Sequence, residues 1–122
     1  MLRNTATLLS LLTLTATSVA AAESEGRSIR AGLTLAAERC ASCHIASPHQ
    51  TLKPLFPDAP KFEDIANRPT TSRESLVKFL DSVHGYNSAS SSQAPPFLGL
   101  TALTDQEKSD VALYILSLRN QH

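Results

Sequence analysis

Tryptophan is absent from this sequence, and its one methionine is the first residue, Met1. Aromatic residues make up only 5% of the chain, although hydrophobic residues reach 42%. Large core side chains are therefore scarce, and a bulky apolar group at the centre would make up for them. Excess charge is lacking too, since 11 basic residues balance 11 acidic ones. That balance excludes the basic surface on which nucleic-acid binding depends. Cysteines number two, too few for a disulfide framework. Beyond the N-terminus no apolar run is long enough to cross a bilayer. At 122 residues the chain makes a single domain.

What is present begins with a leader. Met1-Leu2-Arg3 gives a positive start, and Leu8, Leu9, Leu11, Leu12, Leu14 and Val19 lie in a run without charge. The run closes on the small residues Ser18-Val19-Ala20-Ala21-Ala22, just before Glu23-Ser24-Glu25. This is the three-part layout of a secretory signal. A retained membrane anchor is the alternative, but the run is short, carries Thr and Ser, and ends in alanines rather than basic residues. Residues 1–22 are assigned to a signal peptide cut after Ala22 (or after Ala20), and residues 23–122 to the domain, with the periplasm as destination. Cleavage would remove Arg3 and Met1. The mature chain would then hold 10 basic and 11 acidic residues and no methionine.

Both cysteines fall in one pentapeptide, Cys40-Ala41-Ser42-Cys43-His44. A C-x-x-C pair alone could be a disulfide, a redox dithiol or half a zinc site. A redox dithiol belongs beside a βαβ pattern, which is missing here, and His49, His84 and His122 make no convincing pair of further zinc ligands. The adjacent His44 shifts the reading to covalent haem attachment. Cysteines three apart near a helix end can bond two vinyl groups of one haem, and the next residue then offers its imidazole to the iron.

Four stretches read as helix and none as strand. Over Arg27–Ala41 an apolar face runs through Ile29, Leu33, Ala36, Ala37 and Cys40, with Gly32 inside it at a cost of about 1 kcal/mol relative to alanine. Lys61–Asn67 groups Phe62, Ile65 and Ala66. A third helix opens on Thr71-Ser72-Arg73-Glu74, read as a capping box, carries Leu76, Val77, Leu80 and Val83, and stops at Gly85. A second box, Thr104-Asp105-Gln106-Glu107, opens the last helix, with Val111, Tyr114, Ile115 and Leu118 as its stripe, ending near Arg119. Ile45–Pro60, with four prolines, and Gly85–Leu103, with its serine run, read as loops.

This order of a glycine-bearing helix, C-x-x-C-H, a Pro-rich loop, Ala59-Pro60-Lys61-Phe62, two helices and a closing Tyr114-Ile115-Leu116-Ser117-Leu118 resembles the bacterial monohaem class I cytochrome c family. The resemblance spans residues 28–119. It implies an all-α fold of about four helices wrapped around one covalently bound haem c, with His44 as proximal iron ligand. It also implies that the first and last helices cross, Gly32 against Tyr114. A proline carbonyl would accept a hydrogen bond from the proximal histidine; Pro54, Pro57 and Pro60 are the candidates, with Pro60 favoured.

The sequence departs from the family on the distal side. Where family members place a methionine ligand, His84-Gly85-Tyr86-Asn87 offers Asn87 and Ala94-Pro95-Pro96-Phe97 offers Ala94. Four distal readings remain: His84 as the best protein ligand, Asn87 as a weaker one, His49 as a remote possibility, and no ligand at all. Their ordinary roles are a helix-capping histidine, a turn former and a surface residue. Two strong ligands suit an electron carrier working with a periplasmic oxidoreductase or a respiratory-chain partner, whereas an open site suits binding or sensing of a small ligand. A catalytic haem enzyme has little support, because no acid–base set accompanies the distal loop. Lysines are sparse, so a strongly basic docking face is not expected.

If the leader is cut as assigned, N-terminal sequencing of the haem-bearing protein will read from Glu23, or from Ala21 for the alternative cut. Recovery of Met1 on that form would instead mean a retained anchor.

Overall fold

The computed structural model describes residues 6–82 and 103–120, and for residues 6–17 the backbone alone. Among these residues the secondary structure is entirely helical: α1 (Ala6–Leu35), which continues into a π-helical turn (Ala36–Cys40), α2 (Phe62–Ala66), α3 (Arg73–Ser82) and α4 (Asp105–Ser117). The helix expected from Arg27 starts much earlier. No proline lies between residues 6 and 35, and the charged stretch around Glu23–Arg27 leaves backbone bonding undisturbed. Residues 18–25 are nevertheless exposed throughout, and Ile29 is the first side chain to pack against the core. No helix among the described residues is long and apolar enough to cross a membrane.

Helix α4 organises the core, because it contacts α1, α2 and α3 alike. Its expected stripe is buried in full: Val111, Tyr114, Ile115 and Leu118, joined by Ala112. The Thr104 capping box forms as expected. The Glu107 N–H donates to Thr104 Oγ1 at 3.3 Å, and the Thr104 N–H donates to a Glu107 carboxylate oxygen at 2.7 Å. Those bonds to the carboxylate hold the Glu107 pKa below its ordinary range. On the α3 side, the Arg73 guanidinium donates to Ser109 at 2.6 Å, and Lys108 pairs with Asp81 and Asp105. At the far end Arg119 donates to the carbonyls of Ala66 and Thr71, 2.9 and 2.8 Å away, tying α4 to the α2–α3 connection.

The cap of α3 falls one residue later than expected. Ser72 and Ser75 exchange backbone-to-hydroxyl bonds of 3.1 and 2.8 Å, a reciprocal box with serine in the place of glutamate. Thr71 is not the cap, because its hydroxyl donates instead to the Ile65 carbonyl at 2.7 Å and closes the turn from α2. Leu76 is buried, with Val77 and Leu80 packed beside the core. Val83 and the Gly85 stop lie outside the described residues.

The face that α1 turns to the core also differs. Leu33 and Ala37 are exposed, and the inward line runs through Ile29, Gly32, Ala36 and Cys40. Glycine replaces leucine on that face because the crossing with α4 leaves no room. A Cβ on Gly32 would lie 2.6 Å from the carbonyl carbon of Asp110, closer still to its oxygen, and 2.7 Å from Tyr114 Cβ. Two of those three neighbours are backbone atoms, which cannot swing aside as a side chain would.

Gly32→Ala tests the crossing. Helix propensity alone favours the alanine by about 1 kcal/mol, while forcing a methyl into a filled contact costs about 1–3 kcal/mol. A net loss of stability is expected, larger for Gly32→Leu, read as a lower denaturant midpoint. An alanine variant more stable than wild type by the full propensity gain would show that the helices are not in contact there.

Candidate functional site

The C-x-x-C-H pentapeptide sits where α1 ends. The last helical turn is widened, with the Ala41 N–H bonding to the Ala36 carbonyl five residues back at 3.0 Å. The Cys40 carbonyl then accepts from the N–H groups of both Cys43 and His44, at 3.0 and 2.9 Å. The pentapeptide is thereby a tight turn rather than a further length of helix. Both thiols are free and partly buried. Burial beside Cys43 pushes the Cys40 thiol up to about 11, so it is protonated at neutral pH in the protein alone.

His44 is fixed through its ring. Its Nδ1 lies 2.8 Å from the carbonyl oxygen of Pro60. A carbonyl can only accept, so Nδ1 carries the proton, and Nε2 is left with the lone pair that a metal needs. Of the three candidate prolines, Pro60 makes this contact. The Phe62 ring, at the start of α2, stands at a tilt 5.4 Å from the imidazole. The backbone returns to the same place, since the Phe62 N–H donates to the Ile45 carbonyl at 3.0 Å.

The intervening loop is anchored at three further points. The Leu55 N–H bonds to the Ser42 carbonyl, inside the motif, at 2.8 Å. The Tyr114 hydroxyl of α4 donates to the Ala46 carbonyl at 2.9 Å, and its burial raises the phenol pKa. Tyr114 therefore belongs to the crossing and also holds the loop, a role beyond the helix contact that the resemblance implied. Gln50 is the third anchor, and nothing in the sequence marks it. Its amide nitrogen lies 3.2, 3.1 and 2.9 Å from the carbonyls of Ala41, His44 and Leu52, and its oxygen accepts from the Ala46 N–H at 2.9 Å.

The donor set fits a haem. Two thiols outside any disulfide and an imidazole whose Nδ1 is bonded to the Pro60 carbonyl stand on one turn, and among the described residues no group of three or more His, Cys, Asp or Glu side chains is disposed to hold a metal ion such as zinc. Large apolar side chains also stay uncovered by protein: Leu52, Leu55 and Phe56 on the loop tied to Ser42, with Leu33 and Phe79. His49 is exposed, at the surface. His84 and Asn87 lie outside the described residues.

Residues 29–119 match the family described as Cytochrome c. The chain is 35% identical over 88 residues to cytochrome c-552 of Bradyrhizobium diazoefficiens, a match covering 72% of each chain. No solved structure matches it.

If Cys40 and Cys43 hold the haem, it will stay on the protein through denaturing electrophoresis. Cys43→Ser will leave one thioether, and His44→Ala will lose the normal iron spectrum. Haem released by acid–acetone would refute the covalent assignment.

Proposed function

The chain belongs to the cytochrome c family, carries one covalent haem c and is a haem electron-transfer protein, and from this we propose that it works in the periplasm with His44 as proximal iron ligand. The observation that carries the ligand assignment is the Nδ1–Pro60 hydrogen bond, which sets the tautomer a metal-bound imidazole needs and raises its basicity. Cys40 and Cys43 are the only cysteines and would hold the macrocycle by thioethers on either side of Ala41-Ser42. The haem iron supplies a one-electron couple. What the protein contributes is a rigid mount: the Pro60 carbonyl prevents rotation of the imidazole, Phe62 flanks it, and Tyr114 and Gln50 keep the loop from opening. A fixed ligand geometry lowers the rearrangement that accompanies each change of charge. No catalytic residue is assigned, and the role proposed is that of a carrier or electron-transfer subunit.

The location rests on the leader, residues 1–22, supported by the exposure of residues 18–25 outside the core. The partner proposed is a periplasmic oxidoreductase or a respiratory-chain protein. One observation favours a second reading, a ligand-binding or sensing protein. The sole methionine is Met1, so no thioether ligand is available from the mature chain. The distal position would then be taken by His84, by Asn87, or by nothing.

The absorption spectrum decides between the readings. The oxidised protein will lack the weak near-infrared band of sulfur–iron ligation. High-spin iron that takes carbon monoxide readily would favour ligand binding over electron transfer. With low-spin iron, conversion of His84→Ala to high spin would identify His84, and an unchanged spectrum would move the test to Asn87→Ala. A bis-histidine iron will have a lower potential than a His/Met one, since thioether ligation raises it.

A further inference from the structure

Pro60 fixes the ring of His44, the Cys40 carbonyl takes its backbone N–H, and a third group meets its backbone carbonyl. The pentapeptide leaves the helix through a widened turn, so the carbonyls of Ala41 and His44 lack the donors that a continuing helix would provide. Gln50 provides them. Its two amide N–H bonds are shared among the carbonyls of Ala41, His44 and Leu52, at 3.2, 3.1 and 2.9 Å. Its oxygen is occupied by the Ala46 N–H at 2.9 Å, which orients the amide with nitrogen toward the three carbonyls. The carbonyl of that same Ala46 receives the Tyr114 hydroxyl. One side chain thus joins the start of the motif, its histidine and the loop beyond to the buried face of α4.

We propose that Gln50 is a positioning residue for the iron ligand: its amide fixes the backbone of His44 while Pro60 fixes the ring. This rests on the reading of His44 as the ligand. Both functions of the amide are needed. A carboxylate in its place keeps the acceptor for Ala46 but removes both donors and sets a negative charge against three carbonyl oxygens. An asparagine keeps the chemistry but is one methylene too short to span all four partners.

The test uses the haem-loaded protein as Gln50→Glu, Gln50→Leu and Gln50→Asn, with Gln106→Leu as control. Gln106 also makes a side-chain bond, to Asp110 at 2.8 Å, but on α4. Midpoint potential, electron-paramagnetic-resonance g-values and melting temperature are measured for each. Expected are shifted g-values and potential in all three Gln50 variants, smallest for asparagine, and a control that changes only its melting temperature. If glutamate or leucine fails to load haem, the asparagine variant alone decides the question. Gln50 variants that melt earlier but keep wild-type g-values and potential would overturn the proposal and leave a merely structural residue. Failure of the underlying reading is separable, because protein labelled with nitrogen-15 histidine and carrying His49→Ala, His84→Ala and His122→Ala, so that His44 is its one histidine, would then show no histidine nitrogen coupled to the iron.

Discussion

The fold depends on one close approach, the backbone of α1 at Gly32 resting on the backbone of α4 at Asp110. With no side chain between them, the two helices fix each other's depth and rotation. The consequence is felt eight residues on, where α1 ends in Cys40. The crossing sets where the motif sits, and Tyr114, one turn along α4 from Asp110, carries the same constraint into the loop through its bond to Ala46. Helices α2 and α3 then pack on α4 and place Pro60 and Phe62 against His44.

The histidine is held by two kinds of restraint that fail independently. The Pro60 carbonyl holds the ring, and the shared Gln50 amide holds the backbone carbonyl. A main-chain carbonyl cannot be mutated away, so the tautomer of His44 is protected against most substitutions at position 60. The restraint on the His44 carbonyl has no such protection, because it comes from a replaceable side chain, Gln50. Hydrogen bonds of this kind contribute about 0.5–1.5 kcal/mol each in net terms, so their value here lies in geometry more than in stability.

Much of this was legible in the sequence wherever chemistry is local. The grouping of Cys40, Cys43 and His44 on one turn follows from their spacing, and Thr104 with Glu107 completes a box within four residues. The stripe of α4 is readable because every position in it is apolar. Reading failed by one residue at α3, where Thr71 and Ser72 offer adjacent hydroxyls and only the Ile65 carbonyl decides between them. It failed on the face of α1 because hydrophobicity favours Leu33, whereas the crossing needs the residue with no side chain. Gln50 could not have been found at all. Its partners are backbone carbonyls, which every residue possesses, and the widened turn that frees them leaves no signature in the composition of Ala36–Cys40.

The position of α4 in the chain has a bearing on the order of events during synthesis. The helix that contacts all the others occupies residues 105–117 of 122, and α1 has to wait for it. A ribosome works from the other end, so the C-x-x-C-H pentapeptide is finished long before the scaffold that will hold it. During that interval the two thiols lie on an open chain, where the high pKa that burial gives Cys40 in the finished fold does not apply. Chemistry at sulfur is therefore easiest before folding, since both thiols are partly buried once the fold is complete.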